Sequence, residues 1–201
     1  MYYGCNGSTC TQTSVLLSNQ VQNPVALLPQ DNNGVIVQLP SVPQGGAPSV
    51  SGSLMLGIGT QSNNVPSTVT TYTLDTYGEF ITTFNNRSYF SFIDTGSNGL
   101  FFPSSGLLPN CKDYSDWFCP SSTTNLSSTI KGASGSPSGV VSFQIGNFDS
   151  LISSSNNVFA GIGGNEAGGF DWGLPFFFGR DIYMGSEGST SSLGSGPYFA
   201  Y

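Results

Sequence analysis

The sequence predicts an all-β fold with one or two short helices, and three observations carry that expectation. Strong helix formers are scarce, whereas Gly, Ser, Thr, Asn, Val and Phe dominate the 201 residues, a mixture suited to short strands joined by tight turns. Apolar runs of strand length recur between clusters of Gly, Pro, Asn and Ser. Asn-Gly and Asn-Asn pairs stand where such runs would have to reverse direction.

Along the chain, residues 14–22 (SVLLSNQVQ) read as one short helix, ended by Asn23-Pro24. Strands over 25–28 and 34–39 flank the turn signal Asp31-Asn32-Asn33-Gly34, and 41–49 is a Pro/Gly/Ser connector. Further strands are expected over 51–58 and 68–74, then a hairpin of 80–84 and 88–93 closed at Asn85-Asn86. Residues 121–138 are polar throughout and read as a surface loop or weak edge strand, followed by a strand over 140–145. A glycine-rich stretch, 158–169, leads into the most apolar part of the chain, FDWGLPFFF at 170–178. Strands at 182–184 and 197–201 then form a terminal hairpin around a Gly/Ser loop. No repeat of solenoid period is present.

Composition excludes several function classes. Two lysines, two arginines and no histidine against eleven acids give a net charge of −7. Such a chain has no basic footprint for nucleic acid or an anionic membrane. Without histidine, neither a Ser-His-Asp nor a Cys-His catalytic arrangement can be built, and the usual His-containing zinc sites are ruled out. The glycine-rich GIGGNEAGG around Gly161 lacks the Lys-Ser/Thr partner of a phosphate loop. No apolar run reaches the roughly 20 residues that span a bilayer. The four cysteines fall in two close pairs, neither with CxxC spacing. Two small disulfide-closed loops, Cys5–Cys10 and Cys111–Cys119, are the expected arrangement, with free buried thiols as the alternative. Disulfides imply an oxidising compartment, yet Met1 is followed by no basic and apolar leader, so the chain is expected to be part of a longer exported protein.

The segment that carries chemistry is Phe92-Ile93-Asp94-Thr95-Gly96-Ser97. An apolar run entering Asp-Thr-Gly-Ser puts a carboxylate in a tight turn at the end of a buried strand. Gly96 lets the backbone bend and aim its N–H at that carboxylate. The Ser97 hydroxyl can donate to Asp94 and hold its plane, while Thr95 can reach across to a matching loop. A carboxylate so held stays ionised until a second one approaches. The two then share one proton, so that one activates water while the other polarises a carbonyl. The plain alternative is that Asp-Thr-Gly is simply a good turn.

These residues, with Gly99-Leu100-Phe101-Phe102-Pro103-Ser104 after them and Ser51–Gly59 (SGSLMLGIG) before, resemble the carboxy-terminal lobe of pepsin-family aspartic peptidases over most of the chain. The resemblance implies a pepsin- or retropepsin-like β-barrel lobe over 41–201, with 1–40 as an N-terminal extension. It makes Asp94 the reactive carboxylate, with Thr95, Gly96 and Ser97 in support. It also implies an apolar-apolar-Gly segment threaded beside the catalytic loop. Trp172-Gly173-Leu174 fits that place, with Gly173 as its glycine and Pro175 near the start of a following helix, and Phe177-Phe178-Gly179-Arg180 is the alternative match. Asp171 departs from the pattern, standing where an apolar residue is usual. The phenylalanines Phe101, Phe102, Phe176, Phe177 and Phe178 are expected in the core, with subsite walls as the alternative.

A narrower resemblance runs from about Gln20 to Tyr201, through QVQNPVALLPQDNNGVIVQLP, GIGTQSNN, SFIDTGSNGLFFP, WFCP, FDWGLPFFFGR and GPYFAY. These segments are similar to a family of exported bacterial proteins catalogued as domain of unknown function 3443, whose members carry an earlier Asp-Thr-Gly-Ser segment. Together the resemblances imply a peptide substrate and a secreted, periplasmic or surface location. They call for no cofactor, no metal, no nucleic acid and no membrane span. The second carboxylate would come from a missing N-terminal lobe, from a second copy of the chain, or from Asp171. A non-catalytic exported binding or envelope protein on the same fold is the alternative.

Overall fold

The computed structural model describes residues 2–201. Strands β1 (Tyr2–Asn6) and β2 (Thr9–Thr13) form a hairpin that pairs with no other strand among the described residues. Cys5 and Cys10 face each other across it and are joined.

The helix expected over 14–22 is reduced to one 3-10 turn, Leu17–Asn19. Its flanking residues lie mostly in solvent, and a helix that short has no packed face to offset its nucleation cost. The strand expected at 25–28 is replaced by a second such turn, Pro24–Leu27. Asn23 caps it by accepting the Val25 N–H at 3.0 Å, and Pro24 presets the first helical φ. Local capping decides this segment because its apolar side chains are not buried.

The body of the protein follows from here. Strands β3 (Gly34–Leu39), β4 (Ser53–Leu56) and β5 (Thr71–Thr73) are short, as expected. Next come β6 (Phe80–Phe84) and β7 (Arg87–Ile93), a hairpin in register from Phe80 opposite Ser91 to Phe84 opposite Arg87. Its turn residues Asn85 and Asn86 have φ of 47° and 61°, the left-handed pair whose twist matches the flanking strands. After β8 (Leu100–Phe102) comes β9 (Thr124–Lys131), inside the stretch read from sequence as a loop or weak edge. That reading is corrected: β9 is an eight-residue interior strand with Ile130 fully buried. Its serines and threonines mask a period-two burial of residues 126, 128 and 130. The remaining elements are β10 (Ser138–Ile145), α1 (Phe148–Ile152), β11 (Gly163–Asn165), β12 (Phe170–Trp172), a 3-10 turn at Leu174–Phe177, and β13 (Arg180–Gly185). The chain closes with β14 (Thr190–Ser191), β15 (Gly194–Ser195) and β16 (Tyr198–Ala200). Strands β13 and β16 make the terminal hairpin.

Besides the two-stranded pairs β1-β2 and β14-β15, two large sheets result, seven strands in the order β10-β9-β6-β7-β12-β8-β11 and five in the order β4-β3-β13-β16-β5. Strand β3 pairs with β13 on one side and β4 on the other, so residues 34–39 belong to the second sheet although they precede residue 41. One aromatic core joins the sheets: Phe80, Phe102, Phe170 and Trp172 from the first, Ile182 and Phe199 from the second. The rings of Phe80 and Phe199 sit 4.7 Å apart across the interface. Each such side chain stabilises the fold by roughly 1.5–3 kcal/mol relative to exposure. The Trp172 indole N–H, buried with the rest, donates to Thr82 Oγ1 at 2.9 Å. Phe102, Phe176, Phe177 and Phe178 are core residues, whereas Phe101 is only half-buried.

Candidate functional site

Strand β7 ends at Ile93, and Asp94 opens the turn that leads to β8. The Asp94 carboxylate is held from two sides. Its Oδ1 accepts the Gly96 N–H at 2.7 Å and its Oδ2 accepts the Ser97 hydroxyl at 3.0 Å. The Asp94 N–H donates to the Trp172 carbonyl at 3.0 Å, which anchors the turn to β12. Asp94 is half-buried, and Thr95 and Gly96 are exposed at the tip.

Strand β12 lies between β7 and β8, parallel to the first and antiparallel to the second. The loop therefore arches over a strand that arrives much later in the chain. Leu174 N–H donates to the Ser97 carbonyl at 2.7 Å. A Cβ on Gly173 would stand 2.0 Å from the Gly99 carbonyl oxygen and 2.7 Å from that of Ser97, so only glycine fits there. Of the two segments matched from sequence, Trp172-Gly173-Leu174 is the one beside the Asp94 loop. Gly179 of the alternative packs by Ser41 instead.

Threading β12 through this position brings in Asp171. It is 8 % exposed, pairs with Phe92 on β7 and Phe101 on β8, and has a buried Oδ1 with no hydrogen-bond partner. Burial raises its pKa above the ordinary carboxylate value. The Ser97 hydroxyl beside it works the other way, and the negative charges of Asp94 and Glu166 add to the rise. Ser97 donates to Asp94 at 3.0 Å, and the Oδ1 of Asp171 has no donor. Alternation along β7 puts Phe90 and Phe92 outward, on the face opposite the core-facing Ser91. With Phe101, Asp171, Glu79 and Glu166 they enclose a pocket of about 370 Å³. Sequence reasoning picked out Asp171 and Phe101, read Phe92 only as part of a buried run into Asp94, and missed Phe90, Glu79 and Glu166. The alternation of residues 87–93 was the available signal for the two phenylalanines.

The whole chain, residues 1–201, matches the family model described as protein of unknown function, DUF3443. The chain belongs to that family. Comparison with curated proteins and with solved structures gives no match. Both disulfides, Cys5–Cys10 and Cys111–Cys119, are formed in this DUF3443 member, which is compatible with an oxidising compartment. Among the described residues no helix is long and apolar enough to cross a membrane. Cys111, Cys119 and Asp149 bring possible metal-ligand atoms close together, but their two sulfurs are bonded to each other.

Proposed function

We propose that this chain is one lobe of a pepsin-like aspartic endopeptidase, exported from the cell, with Asp94 as one of two carboxylates that activate water. The observation that carries the reading is the double hold on Asp94 by the Gly96 N–H and the Ser97 hydroxyl, in a loop pinned over an inserted strand. Two fixed donors, one on each oxygen, hold the carboxylate in place, as a positioned general base requires. The ionised Asp94 takes a proton from water while the second, protonated carboxylate donates to the peptide carbonyl. The C–O bond forms as the carbonyl π bond opens; the C–N bond then breaks as Asp94 hands its proton to the amine and a hydroxyl proton returns to the second carboxylate. No covalent enzyme intermediate is needed.

The second carboxylate is assigned to a companion lobe or a second copy of the chain, across the exposed Thr95-Gly96 tip. Asp171 is less suited to that role, because it is buried among Phe92 and Phe101 in the ladder rather than set at the exposed Thr95-Gly96 tip. The test uses the full-length gene product with an unfolded protein as substrate, between about pH 3 and about pH 6. Pepstatin-sensitive cleavage is expected, falling at least about a hundredfold in Asp94→Asn. Absence of cleavage, or equal rates in wild type and variant, favours a non-catalytic binding or envelope protein on this fold.

A further inference from the structure

The outward face of β7, β12 and β8 is unusual in what it places side by side. Phe92 and Phe101 flank Asp171 in the ladder, and Phe90 continues the row one pleat away. Phe90 is 66 % exposed and Phe92 40 %, while Asp171 among them is 8 % exposed and lacks a partner for Oδ1. A buried carboxylate oxygen without a donor is costly, and aromatic faces do not supply one. Glu166 and Glu79 add negative charge at the pocket, and no lysine or arginine lines it. Arg180 lines a different cavity, lying 4.8 Å over the Phe176 ring and donating to the Phe176 carbonyl.

We infer that this pocket binds the cationic end of an arginine or lysine side chain carried by an extended peptide. The chemistry selects that occupant. A guanidinium or ammonium answers the negative charge that Asp171, Glu166 and Glu79 bring to the pocket, and ring faces attract it further. A neutral side chain leaves the acid unpaired, and an anion is repelled by three carboxylates. A divalent metal wants six or more oxygen ligands. Here the lining is largely aromatic, and its acids form no close-set cluster of ligand atoms. The volume of about 370 Å³ suits one long side chain. Ser97, which holds Asp94, also acts on Asp171, and this links the pocket to the Asp94 loop. As a cleavage preference the inference rests on the peptidase reading; as a binding pocket it does not.

The 201-residue chain is titrated with Nα-acetyl-arginine-N-methylamide and with its neutral citrulline counterpart, followed by backbone amide NMR. Shifts are expected at residues 90–92 and 166–171, with the arginine probe at least about tenfold tighter. Asp171→Asn should bring the arginine probe down to the citrulline level. Phe90→Ala, a change at an exposed ring that leaves the core untouched, should weaken it severalfold. Equal affinity for both probes, shifts elsewhere, or no effect of either variant overturns the proposal. A chain that binds the arginine probe but cleaves nothing as the full-length protein keeps the pocket and loses the peptidase reading. Cleavage with no preference for basic residues does the reverse.

Discussion

A carboxylate 8 % exposed, with one oxygen unpartnered, is costly to keep ionised. For Asp171 the cost has a definite pH dependence. Its folded-state pKa lies above the ordinary value of 3.8, so the folded protein holds a proton that the unfolded chain has already released. The burden is therefore absent below about pH 4 and grows as pH rises through the folded pKa. Asp171→Asn keeps the shape and removes the charge. It should raise stability by on the order of 1 kcal/mol at neutral pH and change nothing at low pH. Urea unfolding at several pH values measures this, and a pH-independent difference contradicts it. The sequence marks Asp171 as out of place among apolar neighbours. It does not reveal the pocket, because Glu79 and Phe90 lie far along the chain from Glu166 and Asp171 and meet them only once the sheet has formed.

At the level of elements, the hairpin at Asn85-Asn86 and the Asp94 turn were legible because each is specified by residues adjacent in sequence. The turns at Leu17–Asn19 and Pro24–Leu27 and the interior position of β9 were not. The two turns are set by caps and solvent exposure that outweigh the apolar pattern, and polar β9 gains its place from β6 and β10 on either side. The insertion of β12 was legible only in outline, through Trp172-Gly173-Leu174. Its tolerance for change is low. Gly173→Ala would drive a methyl into the Gly99 and Ser97 carbonyls, and both belong to the Asp94 loop. A loss of at least about 3 kcal/mol is expected, or failure to fold, since relief requires the loop to move. Thermal unfolding monitored by near-ultraviolet circular dichroism reports it. A stable Gly173→Ala protein with an unchanged spectrum contradicts the close approach.

For the molecule as a whole, the aromatic core between the two sheets sets stability, and the disulfides differ in how they connect to it. Cys111–Cys119 borders a cluster of Trp117, Phe148, Phe159 and Ile162. Replacing both cysteines with alanine should cost about 2–3 kcal/mol, the chain-entropy value for so short a loop, and lower the main melting transition. The same change at Cys5 and Cys10 acts on a hairpin outside both large sheets and should leave that transition in place. Calorimetry of the two double variants distinguishes these expectations. Similar shifts for both would mean that the hairpin is coupled to the body of the fold.

Insertion of β12 between β7 and β8 also sets an order of events during synthesis. Asp94, Gly96 and Ser97 leave the ribosome well before Trp172 and Leu174 and can close their local turn at once. The contacts that pin this turn, from Trp172 and Leu174, can form only after most of the chain has emerged. Long-range pairings of this kind are slow to assemble. A nascent or truncated chain thus carries the Asp94 sequence without the support that fixes its position. The reactive loop becomes rigid only as the core closes beneath it.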